Sequence, residues 1–286
     1  MILVTGATGH LGTATIEHLL KNTDASNIVA FARDQNKAKH LKEKGIEVRF
    51  GDFEDHTSLD YAMRGIEKVL LISTIDHHRY QQHQNVVDAA KKAGVKHIVY
   101  TGVTLKDVNT SAVKPLMSSH FQTEDYIKSS EMHYTFLRNS LYAEVIPMYV
   151  GKEVFKKGIY LPTSDGKVPF ALRREMGEVA ANVLLQNSHK NKTYHITGRE
   201  LYSFQNIADQ LSLLSGKTIN YEDVDQTTFS NTLLERGVPQ INVEIISGFS
   251  ADIKNKQYEI VNKDMEELLG RKPASLKDSL KEIYQL

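Results

Sequence analysis

Thr5-Gly6-Ala7-Thr8-Gly9-His10-Leu11-Gly12 follows the apolar start Met1-Ile2-Leu3-Val4 and opens a segment that carries Leu11, Ile16, Leu19 and Leu20 on one helical face. Its glycines form a G-x-x-G-x-x-G run between a strand and a helix. Glycine there permits a tight turn and close backbone approach, so that the helix N-terminus can face a pyrophosphate with free N–H groups and its positive dipole end. The motif alone also fits a structural turn. The context of a dinucleotide site is nonetheless present: a strand before, a helix after, and a second strand about twenty residues on.

Outward from this loop, short β-branched runs alternate with longer amphipathic stretches. Strands are expected at Ile2 to Thr5, Asn27 to Ala32, Ile46 to Phe50, Lys68 to Ser73, His97 to Thr101 and Tyr134 to Arg138, with helices between them, one covering about Arg79 to Ala93 and ending at Gly94. Right-handed crossovers then give an α/β fold, a doubly wound parallel sheet of Rossmann type. Residues 1–140 are read as this core, with later strands near 158–161 and 192–197 contributing. Residues 141–286 are read as a smaller, mainly helical substrate-side lobe over the carboxyl edge of the sheet, with a helix around Glu175 to Leu185 and another after Ser203 that stops at Gly216.

Composition narrows the function. The chain has 286 residues, 35 basic and 35 acidic side chains, and no cysteine. The missing thiols exclude disulfide scaffolds, thiolate zinc sites, iron–sulfur clusters and cysteine nucleophiles. Residues 1–150 carry 17 basic and 17 acidic side chains, which leaves 18 of each for the remainder. Neither half has the basic excess that favours nucleic acid or anionic membrane. No apolar run approaches the roughly 20 residues that span a bilayer, and the N-terminus has no secretory leader, so a cytoplasmic protein is expected.

Several residues are candidates for a site. Arg33, at the tip of the second strand, suits the 2′-phosphate of NADP, whereas an acidic residue there suits the ribose hydroxyls of NAD. Asp34 could pair with Arg33 or hold ribose itself, and an exposed arginine without a ligand is the alternative. Asp52 and Phe53, after the third strand, either bracket an adenine or, for Asp52, cap the helix that begins near Thr57. Asp76-His77-His78-Arg79-Tyr80-Gln81-Gln82-His83 is dense in histidine but lacks metal-ligand spacing, so no metal site is expected. It reads as a helix N-terminus, or as the mouth of a substrate cleft with His83 near a nicotinamide. Thr101 or Thr104 could orient a substrate or simply satisfy a strand end. Arg173-Arg174 reads as a junction between lobe and sheet.

The glycine loop, the Ala32-Arg33 pair, Gly51-Asp52-Phe53, Leu70-Leu71-Ile72-Ser73, Asn85 to Val95 and Tyr134-Thr135-Phe136-Leu137-Arg138-Asn139 together resemble the NmrA-like branch of atypical short-chain dehydrogenases, and within it the NAD(P)H:quinone oxidoreductase type 2 group. The resemblance runs over essentially the whole chain. It implies that Gly6, Thr8, Gly9, His10, Leu11, Gly12 and Arg33 bind the dinucleotide and that Asp52, Phe53, Ser73 and Asn139 contact its adenine and nicotinamide ends. It also implies that Tyr142 lines the substrate side. The implied cofactor is NADP(H), with NAD(H) admissible and neither flavin nor metal; the implied reaction is direct hydride transfer to a quinone or similar electrophile. The implied partner is a small quinone-like substrate, with no nucleic acid and no membrane; a homodimer is admissible, the oligomeric state being left open by the sequence.

One departure from the wider superfamily bears on chemistry. Short-chain dehydrogenases exchange a proton through Tyr-x-x-x-Lys on the helix after the fifth strand; here Tyr126 is followed four residues later by Ser130, and Lys128 is only two away. His120 and Glu124, at i and i+4, could form a proton-active pair or a surface pair. Reducing a ketone generates a strongly basic alkoxide and needs a placed acid, while a quinone gives a stabilised anion that water, His120, His83 or Tyr142 can protonate. The expectation is therefore a quinone reductase. The alternative is a non-catalytic NADP(H)-binding redox sensor with a regulatory protein partner, and a nucleotide-sugar epimerase fits less well without the Tyr-Lys pair.

Overall fold

In the computed structural model, which describes residues 1–151 and 153–286, the β-branched runs become parallel strands and the amphipathic stretches become the helices between them. The order begins β1 (Ile2–Val4), α1 (His10–Leu19), β2 (Ile28–Ala32), α2 (Lys39–Glu43), β3 (Glu47–Phe50), α3 (His56–Ala62) and β4 (Lys68–Ile72). It continues α4 (Arg79–Lys92), β5 (His97–Val103), α5 (Lys114–Ser129), β6 (His133–Asn139), α6 (Ile146–Val150), α7 (Val154–Lys157), β7 (Ile159–Leu161) and α8 (Arg173–Leu185). The chain ends β8 (Lys192–Ile196), α9 (Phe204–Ser215), β9 (Tyr221–Asp223), α10 (Gln226–Glu235), α11 (Gln240–Lys254), α12 (Asp264–Leu269) and α13 (Leu276–Tyr284). Central strands β2 and β5 are buried along their whole length, as expected of a sheet covered on both faces.

Seven strands form the main sheet in the order β3-β2-β1-β4-β5-β6-β8, all neighbours parallel. Strand order reverses between β1 and β4, where the loops after the two strands turn to opposite faces and leave a crevice. Thr5 holds the fork at that point. Its hydroxyl donates to the Leu70 carbonyl at 3.0 Å and accepts from the Ile72 N–H at 2.9 Å, extending the β1–β4 ladder past the end of β1.

The expected strand near 158–161 forms but is not part of the core: β7 pairs with β9 in a separate two-stranded sheet. Its partner lies about sixty residues on, beyond the reach of a local pattern. The strand near 192–197 does join the core, as the edge strand β8. The chain also returns to the core through α8, which covers the sheet beside α1. Their contact depends on Gly177, where a Cβ would stand 2.7 Å from the Ala14 Cβ and 2.9 Å from the Thr15 nitrogen. The remaining elements form a second apolar cluster around Val154, Ile159, Phe204, Ile207, Leu211 and Tyr258.

Replacing Gly177 by Val pushes α1 away from α8. Overpacking of this kind costs about 1–3 kcal/mol, so the midpoint of urea unfolding is expected to fall; an unchanged midpoint contradicts the close approach.

Candidate functional site

Gly6 turns the chain at φ +57°, a left-handed conformation that a side chain disfavours, and its carbonyl accepts from the Gly9 N–H at 2.9 Å. Gly9 then caps α1 with no side chain. The first hydrogen bond into the helix is Thr13 N–H to Gly9 carbonyl at 2.8 Å. Among the described residues nothing accepts from the N–H groups of His10, Leu11 and Gly12, so three donors and the positive end of a ten-residue helix face the crevice. An anionic diphosphate fits such a cradle.

The expected dinucleotide residues divide into two sets. Gly6, Thr8, Gly9, Arg33, Asp52, Phe53 and Ser73 line one cleft of about 370 Å³. Leu11, in contrast, sends its side chain into the core, and Gly12 sits behind the loop, where a Cβ would be 2.3 Å from the Gly6 carbonyl oxygen. Gly12 thus lets the helix close on the loop and offers a ligand only its N–H. The ring of His10 lines a neighbouring recess with Thr13, Glu17 and Arg174.

At the far end of the cleft Arg33 is largely exposed and reaches Asp52 at 3.6 Å. Asp34 does not pair with it. Its carboxylate instead accepts from the Asn36 and Lys37 N–H groups at 2.8 and 3.2 Å and tightens the turn that carries Lys37 into the cleft. Asp52 is not the helix cap: Asp55 caps α3, accepting from Thr57 and Ser58 N–H. Phe53 stacks on Phe31, ring centres 6.0 Å apart and planes within 1°, and gives the cleft a flat apolar wall. Lys37, Thr74 and Gln82 also line it. Gln82 belongs to the run expected at a cleft mouth; Lys37 and Thr74 carried no such expectation, although a lysine four residues after the strand-tip arginine was a visible signal.

A second cavity of about 310 Å³ opens beyond Ser73 and Thr74, which line both spaces. Its walls include Asn139 at the end of β6, Ser140 and Tyr142 just after it, His120 and Met117 of α5, and Ile245, Ile246 and Phe249 of α11. Tyr142 is half-buried. Its hydroxyl pKa is raised by burial, and the Arg173 guanidinium lies 4.3 Å from its ring centre. His120 shares a hydrogen bond of 2.8 Å between Nδ1 and the Tyr100 hydroxyl. Burial, then the Arg79 charge, then His83 hold its pKa well below the ordinary histidine value, so the ring is neutral at pH 7. Burial also raises the Tyr100 pKa, which keeps that hydroxyl protonated. A Tyr100 hydroxyl that donates to Nδ1 leaves the His120 proton on Nε2, which has no protein partner among the described residues.

His120 does not pair with Glu124, which is taken by Arg138 in a two-point ion pair at 2.6 and 2.8 Å. His83 is not at the cleft mouth: it is fully buried between α4 and α5, with Nδ1 3.0 Å from the Thr123 hydroxyl, and it lines neither cavity. Thr101 and Thr104 are spent on structure, Thr101 accepting from the Ser73 N–H and Thr104 donating to the Arg138 carbonyl. Tyr126 bonds Asp88 and Lys128 pairs with Asp125, so neither serves the cavity. Arg174 behaves as a junction, paired with Glu282 of α13, but its neighbour Arg173 lines the cavity. Among the described residues no cluster of histidine and carboxylates could hold a metal, and no helix is long and apolar enough to cross a membrane.

A glycine cradle at the switch point, joined through Ser73 and Thr74 to an apolar cavity, is the arrangement of a nucleotide-dependent oxidoreductase. The chain belongs to the NmrA-like family, which matches residues 1–282. It is 32% identical to quinone oxidoreductase 2 of Escherichia coli (strain K12) over 288 aligned residues, covering all of this chain and 99% of that protein. Triphenylmethane reductase of Citrobacter sp., solved in complex with NADP(H), is 36% identical with a TM-score of 0.92, over 99% of this chain and all of that one. An NADPH-dependent quinone oxidoreductase from Escherichia coli in complex with NADPH is 33% identical with a TM-score of 0.91, again over 99% of this chain and all of that one.

The buried histidines make stability depend on pH. Burial lowers the pKa of His83 to about 3 and that of His97 to about 4, against 6.5 in an open chain, and His120 is also strongly lowered. Between those values the unfolded chain binds protons that the folded chain refuses. The histidine contribution to stability is therefore present above about pH 6.5 and is lost as pH drops toward 4, each histidine contributing about 1.4 kcal/mol per pH unit within its window. Urea midpoints at pH 7 and pH 5 are expected to differ clearly in favour of pH 7; equal midpoints contradict the assignment.

Proposed function

We propose that the protein is an NADPH-dependent oxidoreductase that passes hydride directly to a quinone or a similar flat electrophile. The observation that carries this reading is the continuity of the two spaces at Ser73 and Thr74, one suited to a dinucleotide and one to an aromatic ring. NADPH, when bound, supplies the hydride. The N–H groups of His10, Leu11 and Gly12 hold the pyrophosphate, Phe53 and Asp52 flank the adenine, and Arg33 and Lys37 take the 2′-phosphate. Ser73 and Asn139 then fix the nicotinamide end, and Tyr142 with the α11 side chains confines the acceptor.

The absence of a Tyr-Lys acid at the cavity supports a quinone over a simple ketone. A quinone needs orientation more than protonation, and neutral His120 can donate a hydrogen bond from Nε2 without being consumed as an acid. Of the relatives named above, the quinone oxidoreductases act on quinones, acceptors of this flat, electrophilic kind, while the triphenylmethane reductase takes a hydride acceptor of a different shape and charge. The steady-state rate of NADPH oxidation with small benzoquinones tests the proposal. Saturable turnover above the uncatalysed rate is expected; bound NADPH with no turnover overturns it and favours a nucleotide-sensing role.

For the nucleotide, Arg33→Asp is expected to weaken NADPH binding at least about tenfold while changing NADH binding little, because only NADPH places a phosphate against that side chain. Calorimetric titration of both nucleotides checks this, and equal losses remove Arg33 from the phosphate role.

A further inference from the structure

Arg79 is the unusual charge in the molecule. It is the first residue of α4, only 3% exposed, and lines the second cavity. Its Nε donates to the Ser119 hydroxyl at 2.9 Å and its Nη1 to the Thr74 carbonyl at 3.0 Å, while Nη2 contacts the Leu116 carbonyl and the same hydroxyl. All of these partners are neutral. Among the described residues no carboxylate lies within ion-pair distance of Arg79, and none lines the cavity. Burial lowers its pKa, yet no neighbour neutralises it, and a guanidinium stays charged inside a protein. A buried, unpaired cation is expensive to keep, and the neutral carbonyls around it compensate only part of the cost.

The other titratable groups on the cavity wall are His120, Tyr142, Tyr149 and Arg173. His120 is neutral and the two tyrosines have raised pKa values, so they remain uncharged hydroxyls. Arg173 is partly balanced by Glu144 at 3.8 Å, outside this cavity. The acceptor space therefore has a net positive potential with Arg79 as its fixed source.

We infer that Arg79 stabilises negative charge on the bound acceptor, and that the cavity selects neutral acceptors that become anions over acceptors that are already cations. The inference rests on the oxidoreductase reading for its reaction, but the charge preference can be tested without turnover. With a quinone, the C4–H bond of the dihydronicotinamide breaks with its electron pair and a bond to that hydrogen forms on the acceptor. The oxidised nucleotide and a hydroquinone monoanion result, and a proton from solvent completes the hydroquinone. The negative charge appears beside Arg79 as the hydride arrives, so the arginine favours product side over substrate side. A cationic triarylmethane dye becomes neutral on accepting hydride, so it enters against the charge of Arg79 and gains nothing from it.

The test is a spectroscopic titration of nucleotide-free protein with 4-nitrophenol, whose anion absorbs in the visible and whose shape is that of a quinone-sized ring. The apparent pKa of the bound phenol is expected to fall by at least about one unit, a tenfold preference for the anion. Arg79→Lys is expected to retain part of that shift and Arg79→Met to lose it, with circular dichroism confirming that each variant folds. The wild-type measurement stands by itself if a variant fails to fold. A bound phenol with an unchanged or raised pKa, no saturable binding of the anion, or an equal shift in folded Arg79→Met overturns the inference. Loss of quinone turnover with an intact phenolate shift would count against the proposed reaction while leaving the charge preference standing.

Discussion

The closure of α1 onto the loop after β1 is the constraint on which the rest depends. Gly12 approaches the Gly6 carbonyl so closely that a single methyl group would not fit, and Gly6 itself needs a left-handed turn. With both satisfied, the helix begins inside the crevice and leaves three N–H groups unpaired there. Thr5 then ties the same loop to β4, which fixes Ser73 and Thr74 on the opposite lip. Gly177 lets α8 lie against α1, and α8 begins with Arg173 over Tyr142. One chain of close contacts thus runs from the glycine loop to the wall of the second cavity.

The polar groups behind that cavity are arranged for orientation more than for proton transfer. Tyr100, His120, His83 and Thr123 form a buried set in which burial keeps the rings neutral and the tyrosine protonated. Glu124, the nearest carboxylate on α5, is neutralised by Arg138. Among the described residues Arg79 carries a charge to the cavity with no carboxylate in ion-pair distance, whereas Arg173 has Glu144 at 3.8 Å. A site with a fixed cation, a neutral imidazole and apolar walls suits an acceptor whose reduced form is a stabilised anion.

Legibility from sequence followed the range of each signal. The six core strands and the glycine loop were readable because period and glycine spacing are local properties. Ser73, Asn139 and Tyr142 came from resemblance, and they fall on the cavity walls. His83 and His120 could not be told apart in advance: one is sealed between α4 and α5 and the other reaches the cavity, a difference set by helix packing. Asp52 and Asp55 are similarly alike in sequence, and only the start of α3 shows which one caps it. Arg79 stood within a histidine-rich run that drew attention to metal binding, while its isolation from carboxylates exists only once α4 and α5 have met. β7 needed a partner from the far side of α8 and α9.

The central claim is that hydride passes within one ternary arrangement from the nucleotide cleft to the acceptor cavity. Single-turnover oxidation of NADPH deuterated at one or the other C4 position, with a benzoquinone as acceptor, tests it most directly. A fixed nicotinamide beside one cavity predicts slowing for one diastereomer and none for the other. Equal rates for both, or slowing by both alike, would contradict it.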